Sequence, residues 1–192
     1  MFIESWFHTP IWCDYLDFDF DKLKDFCLEE QTKNDGRRYS NDGGWQSFDY
    51  DMKKNKILSP LYKNINNKLK EIQKQFNTDN NIEITNAWIN INKKGNKNHA
   101  HIHPKSLLSG VVYISSNDYS GNLVFSRNDG YKHYLSAEET NLKMFIQTAV
   151  SYKPEVGKII IFPSWIEHYV EENLSDEVRI SLSFNTKLST PF

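Results

Sequence analysis

Apolar residues recur at helical spacing in the first part of the chain and at alternating, strand-like spacing in the rest. Phe20, Leu23, Phe26 and Cys27 predict an amphipathic helix over 18–31. Leu61, Ile65, Leu69 and Ile72 form a second apolar stripe over 60–76, with lysines on the other faces. Between these helices, residues 34–45 are rich in glycine and asparagine and read as a loop. Strand-like runs follow at 82–92, 109–115, 122–125, 143–151, 157–162 and 178–185. Gly95, Asn117, Asp118, Gly121, Asn128, Asp129, Gly130 and Pro154 punctuate them. Many short strands without long intervening helices indicate an antiparallel sandwich or barrel rather than a βαβ fold. The expected fold class is mainly β with N-terminal helices (α+β). One domain spans 1–192, with a helical elaboration at 1–80 and a jelly-roll core at 81–192.

Composition narrows the function classes. The 192 residues are 39% hydrophobic and 25% charged, ordinary for a globular chain able to bury a core. A net charge of −2 gives no electrostatic case for nucleic acid or an anionic membrane as partner. Lys53, Lys54 and Lys56 are only a short basic cluster on a solvated surface. Two cysteines, Cys13 and Cys27, are too few for a disulfide framework and match no metal motif. No apolar run is long enough for a membrane span, and the first residues lack the layout of a signal peptide. The expectation is a cytoplasmic, reducing location, with self-association left open.

Three histidines cluster in His99-Ala-His101-Ile-His103-Pro104. In an extended chain, side chains two residues apart point the same way, so either adjacent pair can grip one metal ion. Pro104 biases His103 towards that extended form. Neutral imidazole is a common ligand for iron, zinc and copper. The bland alternative is a polar surface loop.

A second feature lies further on. The buried-strand run at 157–162 leads through a Pro163-Ser164 turn to Trp165-Ile-Glu-His168. A histidine delivered there is placed to close a three-ligand site; otherwise it is a rim histidine packed on Trp165. Arg179, Ser181 and Ser183 then alternate strictly with Ile180, Leu182 and Phe184. A guanidinium with a hydroxyl two residues away suits a carboxylate, which arginine can bind through two parallel hydrogen bonds. The competing reading is an outward polar face.

Together these features resemble the 2-oxoglutarate and Fe(II)-dependent oxygenases. The closer resemblance is to a subgroup of that superfamily and rests on three blocks that span nearly the whole chain. They are Ser40-Asn-Asp-Gly-Gly-Trp-Gln-Ser47, His101-Ile-His-Pro-Lys-Ser-Leu-Leu-Ser-Gly-Val-Val-Tyr113, and Phe162-Pro-Ser-Trp-Ile-Glu-His168 with Arg179-Ile-Ser-Leu-Ser-Phe-Asn185. The resemblance implies a double-stranded β-helix, Fe(II), 2-oxoglutarate as a small-molecule cosubstrate, and O2. It implies metal ligation and catalysis by His101, His103 and His168, and a cosubstrate carboxylate on Arg179 and Ser181. It implies C–H hydroxylation with release of succinate and CO2, and brings no primary substrate with it. One departure stands out. The wider superfamily pairs its first histidine with Asp or Glu two residues on, where this chain has His103. No acid takes that place, since Asp118 and Asp129 read as turn residues. His99 with His101 is the rival pair.

Further candidates come from the remaining blocks. Trp45 and Gln46 either line the substrate entrance or pack, with Gly43 and Gly44 making a tight turn. Trp88, Asn90 and Asn92 share one strand face, from which Asn90 reaches the cosubstrate or simply meets solvent. Tyr113 is a further candidate contact for 2-oxoglutarate. Two other classes compete: a cupin-like three-histidine dioxygenase or isomerase without 2-oxoglutarate, and a non-catalytic jelly-roll binding module.

Overall fold

The structure is a computed structural model describing residues 2, 8–76, 78–127 and 148–189. Its elements run β1 (Trp12–Tyr15), α1 (Phe20–Lys33), β2 (Asn41–Asp42), β3 (Trp45–Gln46), α2 (Ser59–Gln73) and β4 (Asn81–Asn92). Then come β5 (Lys97–His101), β6 (Leu108–Ser115), β7 (Leu123–Ser126), β8 (Ala149–Tyr152), β9 (Lys158–Pro163), β10 (Glu167–Val170) and β11 (Arg179–Ser189).

Both helices form where their apolar stripes predict. Asp19 caps α1 by accepting from the Lys22 amide, Asp21 and Lys33 suit its two ends, and Leu23 and Cys27 are buried. In α2, Pro60 sits at the first turn, where its missing N–H costs nothing. The α2 stripe of Leu61, Ile65, Leu69 and Ile72 is buried throughout. No described helix is long and apolar enough to cross a membrane.

The strands form two antiparallel sheets. One has six strands in the order β1-β9-β6-β11-β4-β3, and the other five in the order β2-β5-β10-β7-β8. The helices cover the outer face of the six-stranded sheet. There Ile89, Ile91, Val112, Ile180, Leu182 and Phe184 join the α2 stripe in one core. A smaller apolar cluster, including Val111, Tyr113, Phe125, Ile160 and Phe162, fills part of the space between the sheets. The double sheet is the expected jelly roll.

Some elements depart from expectation. Three short strands from the amino-terminal stretch enter the sheets, with β1 and β3 at opposite edges of one and β2 at the edge of the other. The 34–45 segment is therefore not all loop. β2 and β3 are only two residues each, too short for an alternating pattern to show, and Gly43 joins them at a positive φ of 75°. β5 and β10 are also strands that the sequence pattern leaves as loop and turn. Of the run expected at 143–151, residues 143–147 lie outside the described residues, as do Asn128, Asp129 and Gly130.

Candidate functional site

The inner face of the six-stranded sheet carries polar residues in register. Ser181 on β11 lies between Asn90 on β4 and Tyr113 on β6. One step along, Ser183 lies between Trp88 and Val111, and a further step puts Asn185 between Asn86 and Ser109. Arg179 opposite Asn92 closes the series at one end. Strand alternation explains the arrangement, because every second residue of β4, β6 and β11 faces inward. These side chains line a cavity of about 600 Å³ between the two sheets.

The opposite sheet contributes the histidines. His101 and His168 are register partners on β5 and β10, and His103 follows two residues after His101. Ring nitrogens of His101, His103 and His168 all lie within 4.8 Å of one another, the only such His/Cys/Asp/Glu group among the described residues. Trp88 stacks on His103 at 5.7 Å between ring centres, and Phe162 sets its edge against His168 at 4.7 Å.

The donor set suits a divalent transition metal. His101 Nδ1 lies 2.7 Å from the His99 carbonyl oxygen and His168 Nδ1 lies 3.0 Å from that of Ile166. A carbonyl only accepts, so each Nδ1 donates and Nε2 carries the lone pair that can bind a metal; at His101 that nitrogen lies 3.5 Å from Ser40 Oγ. His103 Nε2 and His168 Nε2 are 3.2 Å apart. Two ligands at roughly 2.0–2.1 Å from one ion have that spacing. Burial holds His103 down to about 4 and His168 down to about 3, the neighbouring imidazoles adding to the effect. It lowers His101 too, against the opposing pull of its bond to the His99 carbonyl. All three are then neutral at physiological pH, as ligation requires.

His99 does not join the group. It is exposed and turns its Nε2 towards Asp42 at 3.4 Å. Among the described residues no carboxylate joins it either, and Asp118 pairs with Lys153 at 2.9 Å.

Arg179 is 2% exposed. Its Nη1 donates to the carbonyls of Ser120, Glu171 and Gly121, while its Nη2 is buried with no partner. Burial lowers the guanidinium to about 10, with Tyr113 opposing the shift, so it stays charged. An unmatched donor on a buried cation is costly unless an anion completes it. Asn90 Oδ1 is likewise buried without a partner, while Asn90 Nδ2 donates to Ser183 Oγ at 3.1 Å. Burial pushes the Tyr113 phenol up to about 12, so it remains a neutral donor.

Gln46 and Trp45 part company. Gln46 pairs with Asn90 and lines the cavity, whereas Trp45 pairs with Ile91 and packs on the helix-side core. The structure therefore does not bring Trp45 to the site: successive strand residues face opposite sides. Its indole donates to the Asn34 carbonyl at 2.9 Å. Sequence reasoning missed Arg37 and Asp49, an ion pair that lines the cavity beside the exposed Tyr39. It also missed the contact between Trp88 and His103. The alternation of Trp88 with Asn90 hinted at the latter; nothing in the pattern marked Arg37.

Comparisons with known proteins bear on the fold and the family. No curated protein matches the sequence. Among solved structures, a prolyl-4-hydroxylase from Pseudomonas putida superposes with TM-score 0.67 at 13% identity, covering 95% of this chain and 94% of that one. The carbocyclase SnoK of nogalamycin biosynthesis gives 0.65 at 12% identity, covering 93% and 79%. HygX from Streptomyces hygroscopicus, with nickel and 2-oxoglutarate bound, gives 0.59 at 10% identity, covering 93% and 82%. At such identities the likeness concerns the fold, which is the jelly roll. Residues 86–185 match the family described as "Putative 2OG-Fe(II) oxygenase" and include the polar floor positions of β4, β6 and β11 and the histidines His101, His103 and His168. This chain belongs to that 2OG-Fe(II) oxygenase family and is an enzyme of the oxygenase class.

Proposed function

We propose that the protein hydroxylates a C–H bond of its primary substrate, consuming 2-oxoglutarate and O2 and releasing succinate and CO2. His101, His103 and His168 hold the iron, and Arg179 holds the far carboxylate of 2-oxoglutarate. When bound, Fe(II) and 2-oxoglutarate supply the O2 activation that couples decarboxylation to substrate oxidation.

The observation that carries this reading is the buried Arg179, which lines the same cavity as the histidines and has Nη1 tied to three carbonyls and Nη2 without a partner. The three carbonyls fix the guanidinium so that little freedom is lost when a carboxylate docks. Ser181 adds a hydroxyl in the row next to Arg179, between Asn90 and Tyr113. Asn90 and Tyr113 bring further polar groups to the same stretch of floor. Trp88 and Phe162 shield the imidazoles from water and hold their ring planes. The unmatched guanidinium nitrogen favours this reading over a three-histidine enzyme that needs no 2-oxoglutarate.

The test is succinate release from 2-oxoglutarate by purified protein with added Fe(II) under air. Slow release that needs both Fe(II) and Arg179 is expected even without the primary substrate. Absence of succinate, with iron bound, supports the cupin-like alternative.

A further inference from the structure

We propose that Ser164, Ser109 and Asn185 form a positioning relay that sets His103 at its place against His168. The inference rests on the reading of these histidines as metal ligands.

Ser164 is fully buried in the turn between β9 and β10, four residues before His168. Its backbone binds the loop that carries His103 from both sides. The His103 amide donates to the Ser164 carbonyl at 2.9 Å, and the Ser164 amide donates to the Leu107 carbonyl at 3.1 Å. Residues 103 and 107 are therefore both pinned to the segment that delivers His168. Within this loop Lys105 has φ of 66°, the only non-glycine residue described in the left-handed region. Such a conformation persists where its surroundings enforce it.

The side chain of Ser164 anchors that junction to the sheet floor. Its Oγ lies 2.8 Å from Ser109 Oγ, and Ser109 Oγ donates to Asn185 Oδ1 at 2.7 Å. A hydroxyl has one hydrogen. With that of Ser109 spent on Asn185, the Ser164 hydroxyl must be the donor to Ser109. The relay thus runs from the turn before His168 through β6 to β11, both strands of the six-stranded sheet. Ser109 is also the register partner of both Asn185 and Phe162, so the anchor is a central strand of the six-stranded sheet. A buried hydroxyl pair costs desolvation, and an apolar pair of the same shape would fill this space equally well. Its use here is directional: it fixes where the Ser164 carbonyl points, and so where His103 begins.

Anaerobic titration with Co(II), whose visible ligand-field bands report coordination geometry, tests the relay on the full chain. Ser164→Ala and Ser109→Ala should each weaken Co(II) binding about 10- to 100-fold, the usual cost of losing an outer-shell partner. Their ligand-field bands should shift, with melting of the metal-free protein close to wild type. The double variant should bind no more weakly than the weaker single, since both break one relay. Should Ser164→Ala fail to fold, Asn185→Ala removes only the terminal acceptor at the cavity edge and should still shift the bands. Unchanged affinity and bands overturn the relay, even if melting falls. A wild-type protein that binds no Co(II) overturns the ligand assignment and the relay with it.

Discussion

His101 and His168 are Cα partners across the antiparallel strands β5 and β10, with ring centres 4.3 Å apart. Paired residues on an antiparallel ladder project to the same face, so backbone pairing alone brings two of the three imidazoles together. His103, two residues on, completes the group from the loop after β5. The sequence separation of 67 residues between His101 and His168 therefore matters less than the register of two short strands.

Removal of one ladder partner should empty the site. His168→Ala is expected to lose stoichiometric metal at micromolar Fe(II), measured colorimetrically after desalting. His99→Ala should keep it, because His99 is exposed and faces Asp42. The reverse pattern would transfer the ligand role to His99.

Trp45 and Gln46 should separate into a packing residue and a cavity residue. Trp45→Ala should lower stability by roughly 1–3 kcal/mol, less than the full cost of emptying a core aromatic site because the indole is only half-buried. Gln46→Ala should change stability by about 1 kcal/mol or less and alter turnover once a primary substrate is known. Denaturant titration gives the first comparison. An equal stability loss in both would contradict the opposed faces.

Gly110 makes a close approach that no other residue permits. A Cβ there would lie 2.3 Å from Phe184 Cζ, on the helix-side face of the six-stranded sheet. Gly110→Ala should cost about 1–3 kcal/mol through overpacking, while the folded fraction keeps its metal affinity. Loss of metal without loss of stability would show that the two faces are coupled.

Much of this was legible in the sequence, for identifiable reasons. The α2 stripe and the alternation of Arg179 through Phe184 are long enough for their periods to show, so the helix, the strand and its two faces follow from spacing, but not which face turns inward. His99, His101, His103 and the later His168 stood out as residue types, and only the family resemblance favoured His101 with His103 over His99 with His101. The convergence of His101, His103 and His168 rests on the β5–β10 register, which two strands of five and four residues cannot reveal. Trp45 and Gln46 could be told apart only once β3 was known to pair with β4, because a shift of one residue reverses the faces. The partners of Arg179 Nη1 are backbone carbonyls, which carry no sequence signal at all.

Arg179 is the central claim's most direct test. Lysine keeps the charge and loses the two-pronged geometry, so Arg179→Lys should leave iron in place and weaken 2-oxoglutarate. A charge-assisted hydrogen bond contributes roughly 1.5–3 kcal/mol, which corresponds to a rise in Kd of about 10- to 100-fold. Anaerobic calorimetric titration of 2-oxoglutarate into the Fe(II)-loaded wild-type and variant proteins measures it. The account predicts tight binding in the wild type and that fold-loss in the variant; equal binding in the two, or none in the wild type, would contradict it.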